Sequence, residues 1–383
     1  MRFLHTADWH VGKMLARSSR LDEAAGALSE VVGVARDEKV DAVLLCGDVY
    51  EHQAPPPEAE EIVYETLLAL EKAGIPVVII PGNHDAPRRW GAIAPLLRRF
   101  SVHIVPEVRR PAEGGVVELP SRDGSTSAQI AALPWVTERR IVTAAEMMGL
   151  AEEPGQLYAD EMGRLMKALC AGLDPKRCTM FVGHLFVSGA ALGGGERSLT
   201  VGQTYGVTAQ AMPSVQYVAL GHVHRPQRVP GSAVPARYAG SLLQLDFSET
   251  GHKKSVAIVD LTPGRPADVR EVPLSAGRKL LDVTGTMAEL AAHAATRDTA
   301  FLRVNLVADG PRPGLADQVM GMLPQAVEVR LQYPRTEAEA AVTVRGVPPR
   351  EQFANYFRER HGASAGDDML DLFVTLFDEA ETA

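Results

Sequence analysis

Five short clusters of polar residues follow runs of apolar residues in this chain. Together they offer three carboxylates, one amide and five imidazoles. Open α/β sheets place their functional residues where strands end, so we expect these clusters to meet at one site. They are Asp8-Trp9-His10, Gly47-Asp48, Gly82-Asn83-His84-Asp85, Gly183-His184 and Gly221-His222-Val223-His224.

This mixture of oxygen and imidazole ligands suits manganese, iron, cobalt or zinc better than magnesium or calcium, which prefer shells made only of oxygen. Asp48 follows a glycine that permits a sharp turn, and its carboxylate could bridge two ions about 4 Å apart. Asp-x-His or Gly-Asp alone is more often a turn than a ligand set. All five clusters together, each after an apolar run, predict hydrolysis of a phosphate ester at two metals.

The elements that carry these clusters alternate between short apolar runs, rich in β-branched residues, and longer amphipathic stretches. Such alternation predicts an α/β core ending near residue 275. The predicted strands are 2–7, 41–46, 76–81, 127–133, 178–183, 215–221 and 254–260, and the predicted helices are 20–38, 57–73 and 156–172.

A chain of 383 residues is long for a single domain. We predict domains at 1–275, 276–342 and 343–383, with a polar stretch at 335–341. The second is expected to be a small α/β domain and the third a helical, partner-binding segment. The corresponding strands are 280–285, 300–306 and 326–332, and the helices are 286–294, 313–322, 350–361 and 367–380.

The last two predicted helices carry apolar residues at helical spacing. Two interpretations remain open at this point: the helices pack on their own domain, or they dock a partner. The residues concerned are Phe353, Tyr356, Phe357, Met369, Leu372, Phe373 and Leu376.

Composition limits the class of protein. The net charge is 39 − 48 = −9, which argues against a protein that coats nucleic acid, although local basic patches can still act. Three cysteines without a CxxC pair and the lack of a long apolar run favour a cytoplasmic protein without a membrane span. The candidates for contacts with phosphate backbones are Lys13, Arg17, Arg20, Arg88, Arg89 and Arg225.

The five clusters, in this order, resemble the motifs of the calcineurin-like metallophosphoesterases over residues 1–260. Within that superfamily, HTADWHVGK, LLCGDVYE, IPGNHD, FVGHLFVSGA, YVALGHVHRPQ and YAGSLLQLDFSE resemble the SbcD family, the nuclease subunits of bacterial SbcCD complexes. The resemblance implies an α/β fold: a layered β-sandwich flanked by helices, with a small α/β capping domain and C-terminal helices.

The resemblance also implies two divalent ions per chain, for which manganese is our expectation. His84 would act on the departing oxygen without binding a metal, and Asp85 would orient His84. Site A would consist of Asp8, His10, Asp48 and His224, and site B of Asp48, Asn83, His184 and His222.

One position departs from the pattern of archaeal and eukaryotic relatives, which have a histidine three residues after the bridging aspartate. Here that position is Glu51, followed by His52, and neither is included in the predicted catalytic set. Trp9 is predicted to wall the site, and Cys46 to be a buried strand residue.

In function, the resemblance implies an ATP-dependent 3′-to-5′ double-strand exonuclease that also opens hairpins as an endonuclease. Its partners would be an SbcC-like ATPase, double-stranded DNA ends and hairpins, and a second copy of the chain bound through 57–73 and 88–100. Two alternatives are a phosphodiesterase for cyclic nucleotides or nucleotide sugars, and a scaffold without activity. The small-molecule enzymes usually lack domains beyond residue 275, and a scaffold would not need every ligand position filled.

Overall fold

The computed structural model describes residues 1–150, 158–196, 206–294, 299–310, 314–333, 348–361 and 364–382. Short strands of apolar residues recur through the first two thirds of the chain. In chain order the strands are β1 (Arg2–Thr6), β2 (Met14–Leu15), β3 (Ser18–Ser19), β4 (Ala42–Cys46), β5 (Val77–Ile80), β6 (Val102–Ile104), β7 (Val116–Pro120), β8 (Ser127–Leu133), β9 (Cys178–His184), β10 (Tyr217–Gly221), β11 (Gln227–Arg228), β12 (Ala236–Tyr238), β13 (Ser255–Asp260), β14 (Asp268–Pro273), β15 (Leu280–Gly285), β16 (Phe301–Val307) and β17 (Ala326–Gln332).

Helices separate many of these strands. The second and third helices each begin with a proline, whose fixed φ suits the first turn and whose missing N–H is not needed there. The helices are α1 (Leu21–Asp37), α2 (Pro57–Lys72), α3 (Pro87–Leu97), α4 (Glu138–Met147), α5 (Tyr158–Cys170), α6 (Met287–Ala294), α7 (Leu315–Met322), α8 (Pro349–His361) and α9 (Asp367–Thr382).

Two six-stranded sheets form the main body. The first has the order β14-β13-β1-β4-β5-β6, and the second has the order β11-β12-β10-β9-β8-β7. In each sheet the four strands that carry or flank the predicted clusters are parallel, β1-β4-β5-β6 and β12-β10-β9-β8. The outer strands β13, β14, β7 and β11 are antiparallel to their neighbours.

Both faces of each sheet are buried. Phe3 and Leu44 point into a core shared with Ile130 and Val182 of the second sheet. The alternate residues, such as Leu4, contact α1, α2 and α3, while the outer face of the second sheet packs on α4 and α5. The body is therefore a four-layered helix–sheet–sheet–helix sandwich, as predicted.

The small sheet β15-β16-β17 packs on loops of the sandwich. Leu15 and Phe247 form an apolar cluster with Leu280 and Phe301 of this sheet. Because the cluster is small, polar contacts at its edge matter for holding the sheet.

Arg20 supplies such contacts. Its Nε donates to Glu23 Oε2 at 2.9 Å, and its Nη1 donates to the carbonyl oxygen of Gln244. Its Cζ lies 5.6 Å from the ring centroid of Phe301, a cation–π contact. Arg20 is buried, so these contacts make it a structural clamp and leave its guanidinium little surface for the predicted contact with DNA.

The chain divides into two compact units, the first comprising Met1–Leu306 with Pro313–Arg330 and the second Val307–Arg312 with Leu331–Ala383. In the second unit, α8 and α9 pack on each other through Phe353 and Phe373, whose parallel rings lie 4.3 Å apart. The boundaries of the three predicted domains remain predictions, and the polar stretch at 335–341 lies outside the described residues.

Most predicted elements are present with ends shifted by one or two residues, including all three strands of the small sheet. The antiparallel strands β7 and β14 and the short strands β6, β11 and β12 were not predicted, nor was α4. β14 is largely exposed and polar, so it lacks the apolar run that identifies a buried strand. Within the described ranges, no helix is both long and apolar enough to cross a lipid bilayer.

We expect Arg20→Ala to lower the free energy of unfolding by about 2–4 kcal/mol, because it removes charge-assisted hydrogen bonds and leaves the Glu23 carboxylate without its guanidinium partner. Arg17→Ala, at an exposed position three residues earlier, should change it by less than about 0.5 kcal/mol. Urea denaturation measures both. Equal stability of the two variants, with weaker DNA binding by Arg20→Ala, would contradict the clamp.

Candidate metal centre

The carboxyl ends of β1, β4 and β5 in the first sheet and of β9 and β10 in the second lie at one edge of the sandwich. Across the gap between the sheets, Asp48 Oδ2 lies 3.4 Å from His184 Nε2. The structure brings all the predicted metal and catalytic residues together at this edge. They are Asp8, His10, Asp48, Asn83, His84, Asp85, His184, His222 and His224.

Several of these residues have a strained backbone. The φ angles are 51° at Asp8, 45° at His10, 51° at Asp48 and 99° at His222, in a region that residues with a Cβ rarely adopt. Each such residue costs on the order of 1 kcal/mol or more and persists only where its surroundings enforce it. The sharp loops after the strands therefore aim these side chains at a common point.

Two glycines permit the close approach of the loops. A Cβ at Gly47, where φ is 87°, would lie 2.2 Å from His184 Nδ1, and a Cβ at Gly221 would lie 1.8 Å from the carbonyl oxygen of Cys46. Neither position can hold a side chain without displacing a neighbour. The glycines in the Gly-Asp and Gly-His motifs are thus explained by packing.

Site A is represented by Asp8, His10 and His224, whose ligand atoms lie within 4.8 Å of one another. His10 Nε2 is 3.6 Å from Asp48 Oδ2. Among the described residues, this buried nitrogen has no hydrogen-bond partner. An unsatisfied buried acceptor between carboxylates fits a bound cation.

Site B is represented by Asp48, His184 and His222, which form a second group of the same size. His184 Nδ1 lies 2.8 Å from the Cys46 carbonyl, which only accepts, so Nδ1 carries the proton. Its Nε2 then faces two acceptors, Asn83 Oδ1 at 3.0 Å and Asp48 Oδ2 at 3.4 Å. Only a proton or a metal cation between these atoms relieves their repulsion, so the donor set fits a divalent metal.

The pKa values of the buried groups also indicate that the centre favours bound positive charge. Burial raises the pKa of Asp8 to about 7. Burial would also raise the pKa of Asp48 and lower that of His184, but their mutual attraction prevails: it holds the pKa of Asp48 well below its usual range and raises that of His184 to about 9. The centre therefore attracts positive charge strongly.

A lysine–glutamate pair stands behind His10. Glu51 Oε2 lies 2.8 Å from His10 Nδ1, and its Oε1 accepts from Lys13 Nζ at 2.8 Å. Burial disfavours the charged form of Glu51, but the bond from His10 and the ammonium of Lys13 lower its pKa to about 2. An ionised carboxylate only accepts, so His10 Nδ1 is protonated and Nε2 presents its lone pair to site A.

A second pair of this kind stands behind His224. Glu249 Oε1 lies 3.0 Å from His224 Nδ1, and Glu249 Oε2 accepts from Lys254 Nζ at 2.7 Å. Lys254 is itself buried and also donates to the His224 carbonyl at 3.0 Å. The tautomer of His224 is thereby fixed as it is for His10.

The expected role of Asp85 needs correction. Its carboxylate accepts from the backbone N–H groups of Gly82 at 2.9 Å and of Val49 and Tyr50 at 3.2 Å each. Asp85 therefore joins the loop after β5 to the loop after β4. The ring of His84 is oriented by the Glu51 carbonyl, to which Nδ1 donates at 2.8 Å.

Sequence reasoning missed three residues of the centre. Glu51 and Glu249 hold site A histidines, and the Trp135 ring stacks on His222 with centroids 5.1 Å apart. Glu51 could have been found from its position three residues after Asp48. Trp9 packs in the core as expected, Cys46 is a buried strand residue, and His52 is exposed.

The basic residues proposed to contact DNA do not form one class. Arg17, Arg88 and Arg225 are exposed. Arg89 is exposed but paired with Glu60 at 2.5 Å. Arg20 is buried, and Lys13 is committed to the pair with Glu51, so neither presents a free charge to a ligand.

Residues 1–226 match the family described as calcineurin-like phosphoesterase. The chain is also similar to the SbcD subunit of the nuclease SbcCD in three bacteria. Identity is 37% over 284 residues with that of Bacillus subtilis, covering 73% of this chain and 71% of the relative. The values are 31% over 342 residues for Rhodobacter capsulatus, covering 81% of each, and 28% over 297 residues for Escherichia coli K12, covering 76% and 73%.

The family match covers more than half of the chain and includes all five clusters at the strand ends. The relatives extend the similarity into the region after residue 226, since the longest alignment covers 81% of the chain. This chain therefore belongs to the calcineurin-like phosphoesterases, as a metal-dependent hydrolase of the SbcD group of nucleases.

Proposed function

We propose that this chain is the DNA-cleaving component of an SbcCD-type complex and hydrolyses phosphodiester bonds at a centre of two manganese ions. One observation carries the proposal: the buried Asp48 Oδ2 lies 3.6 Å from His10 Nε2 of site A and 3.4 Å from His184 Nε2 of site B, so one carboxylate faces both groups of ligand atoms. A shared carboxylate between two such groups is the arrangement used for in-line displacement at phosphorus.

In this proposal, Asp8, His10 and His224 would hold one ion and Asn83, His184 and His222 would hold the other. Asp48 would be a ligand of both. The ions, when bound, supply an activated water and screen the charge of the phosphate. The protein's contribution is to fix the ligands, and the strained backbone at Asp8 and Asp48 limits their movement.

His84 is proposed to act on the departing oxygen. Its backbone N–H donates to Asp48 Oδ1 at 2.8 Å, and its ring lies edge-on to His10 with centroids 4.6 Å apart. Since Nδ1 donates to the Glu51 carbonyl, His84 can give a proton to the departing oxygen only from Nε2 of a doubly protonated ring.

DNA would be held by exposed arginines beside this edge, namely Arg17, Arg88 and Arg225, with Arg89 released from Glu60. Contacts of this kind go to phosphates and carry no sequence information. DNA would therefore be recognised without sequence preference. From the similarity to the SbcD group, the proposed substrates are double-stranded ends and hairpins, and the proposed activities are 3′-to-5′ exonuclease and endonuclease cleavage.

The proposed partner is an SbcC-like ATPase that binds α8 and α9 and makes cleavage ATP-dependent. Tyr356 on α8 and Met369, Leu372 and Leu376 on α9 are exposed, the last two by more than half. Short helices with an exposed apolar face gain stability mainly by docking it.

A second copy of the chain is proposed to bind at α2 and α3. Each helix carries an exposed leucine, Leu68 on α2 and Leu96 on α3. The homodimer, and a cytoplasmic location on DNA, complete the proposal.

The test compares three substrates: bis-p-nitrophenyl phosphate, a double-stranded DNA end and a DNA hairpin, the DNA assays including an SbcC-like ATPase and ATP. All three should be cleaved with Mn²⁺ and none with EDTA. Cleavage of the small ester alone would favour a small-molecule phosphodiesterase. A chain inactive on all three would be a scaffold.

Asp48→Ala should abolish cleavage of all substrates and remove both ions, because each ion loses a ligand and the two charges lose their screening. Metal content by mass spectrometry and cleavage of bis-p-nitrophenyl phosphate measure the two effects. Two ions retained per chain would contradict the bridging role.

The matched control is His84→Gln, which changes a neighbour of Asp48 that is not a proposed ligand. Its metal content should match the wild type, while turnover falls by about 10²–10⁴-fold, the usual contribution of a positioned acid. DNA affinity should stay unchanged. If His84→Gln lost an ion, His84 would be a ligand.

A chain ending at residue 345 lacks α8 and α9 and should still cleave bis-p-nitrophenyl phosphate, since the proposed ligands all lie in the first unit. It should no longer co-purify with an SbcC-like ATPase. The control is the full chain with Leu372→Ser, expected to weaken co-purification while leaving cleavage unchanged. A shortened chain that binds the ATPase would place the docking surface elsewhere.

A further inference from the structure

The two proposed metal sites differ in what stands behind their histidines. Both histidines of site A have Nδ1 within hydrogen-bond distance of a carboxylate, His10 at 2.8 Å from Glu51 and His224 at 3.0 Å from Glu249. In site B, His184 donates to a neutral backbone carbonyl.

A carboxylate behind an imidazole fixes the ring and increases the electron density at the opposite nitrogen, which strengthens the bond to a metal. Each carboxylate also pairs with a lysine: Lys13 lies 2.8 Å from Glu51, and Lys254 lies 2.7 Å from Glu249. Their positive charges are separated from the metal site by the glutamates, so the stronger effect at the histidine is that of the nearer anion.

The ligand sets add to this difference. Site A has two carboxylates, Asp8 and Asp48, whereas site B has only the shared Asp48 and the neutral Asn83. Affinity for a divalent cation rises with the number of anionic ligands. The carboxylates behind the histidines and the additional anionic ligand therefore both favour tighter binding at site A.

We propose that Glu51 and Glu249 are positioning residues that make site A the tighter of the two metal sites, so that the first ion enters site A and the second enters site B. The assignment rests on the proposed metal centre. It predicts two binding events of unequal affinity and assigns the tighter event to the histidines backed by carboxylates.

The experiment is a titration of the metal-free full chain with Mn²⁺. Binding is measured by calorimetry and by the electron paramagnetic resonance signal of free Mn²⁺. Glu51→Gln keeps an acceptor oxygen toward His10 but removes the charge. It should weaken the tighter event by about 10-fold, and Glu51→Ala by up to about 100-fold. The weaker event should not change.

The matched control is Glu161→Gln on α5, outside both sites. The Glu161 side chain is 10% exposed, as is that of Glu51, and it pairs with Arg164 at 2.7 Å, as Glu51 pairs with Lys13 at 2.8 Å. Both affinities should be unchanged in this variant. Thermal unfolding of the metal-free variants verifies that each is folded during titration.

A variant that lacks one site B ligand serves as a second background and assigns each Mn²⁺-binding event to a site. Asn83→Ala removes a ligand of site B alone and should abolish the weaker event while keeping the tighter one. Glu51→Gln in that background should again weaken the remaining event by about 10-fold. A folded Glu51→Gln variant in which only the weaker event, or neither event, changes would overturn the assignment. A wild-type chain that binds fewer than two ions contradicts the metal centre itself, before any variant is measured.

Discussion

The close approach of two backbone segments from opposite sheets is the constraint on which the metal-binding edge depends. β4 ends at Cys46 and β10 ends at Gly221, and a Cβ at residue 221 would lie 1.8 Å from the Cys46 carbonyl oxygen. This contact lets Asp48, from one sheet, lie 3.4 Å from His184, from the other. The glycines of the Gly-Asp and Gly-His motifs therefore have a packing role, while the residues that follow them carry the chemistry.

Bringing these groups together buries charged side chains in the protein interior. Moving a charged group from water into the interior costs several kcal/mol of free energy unless the group is paired and hydrogen-bonded. Asp8 accepts from the His222 backbone N–H at 2.9 and 3.2 Å, and Asp48 accepts from the His84 backbone N–H at 2.8 Å. These bonds hold the carboxylates in place, but His10 Nε2 has no hydrogen-bond partner within the part of the chain that the structure describes. The fold of the metal-free chain thus retains an unfavourable local arrangement that a cation relieves, which couples metal binding to stability.

Local sequence patterns predicted an α/β core because its central strands are buried on both faces and appear as continuous apolar runs, such as that of β4. The chemical clusters were found because each directly follows such a run. The residues that hold the clusters were harder to predict. Glu249 contacts His224 because the loops between them fold back on each other. The spacing of apolar residues in the sequence does not predict such a contact. Arg20 is buried, which the position of a charge along the sequence does not reveal. The edge strand β14 has no apolar run, and its pairing with β13 depends on the rest of the sheet.

The net charge of −9, which argued against a nucleic-acid partner, is partly a property of the interior. Asp8, Asp48 and Asp85 are buried at the centre, and so are Glu51 and Glu249. Two divalent ions would add four positive charges, so the proposed loaded chain carries −9 + 4 = −5. The buried acids also face histidines, lysines and backbone amides, and thus contribute little to the field outside. A DNA phosphate approaching the edge would instead meet the exposed Arg17, Arg88 and Arg225 and the ions themselves. An acidic total charge is therefore compatible with a site that attracts polyanions.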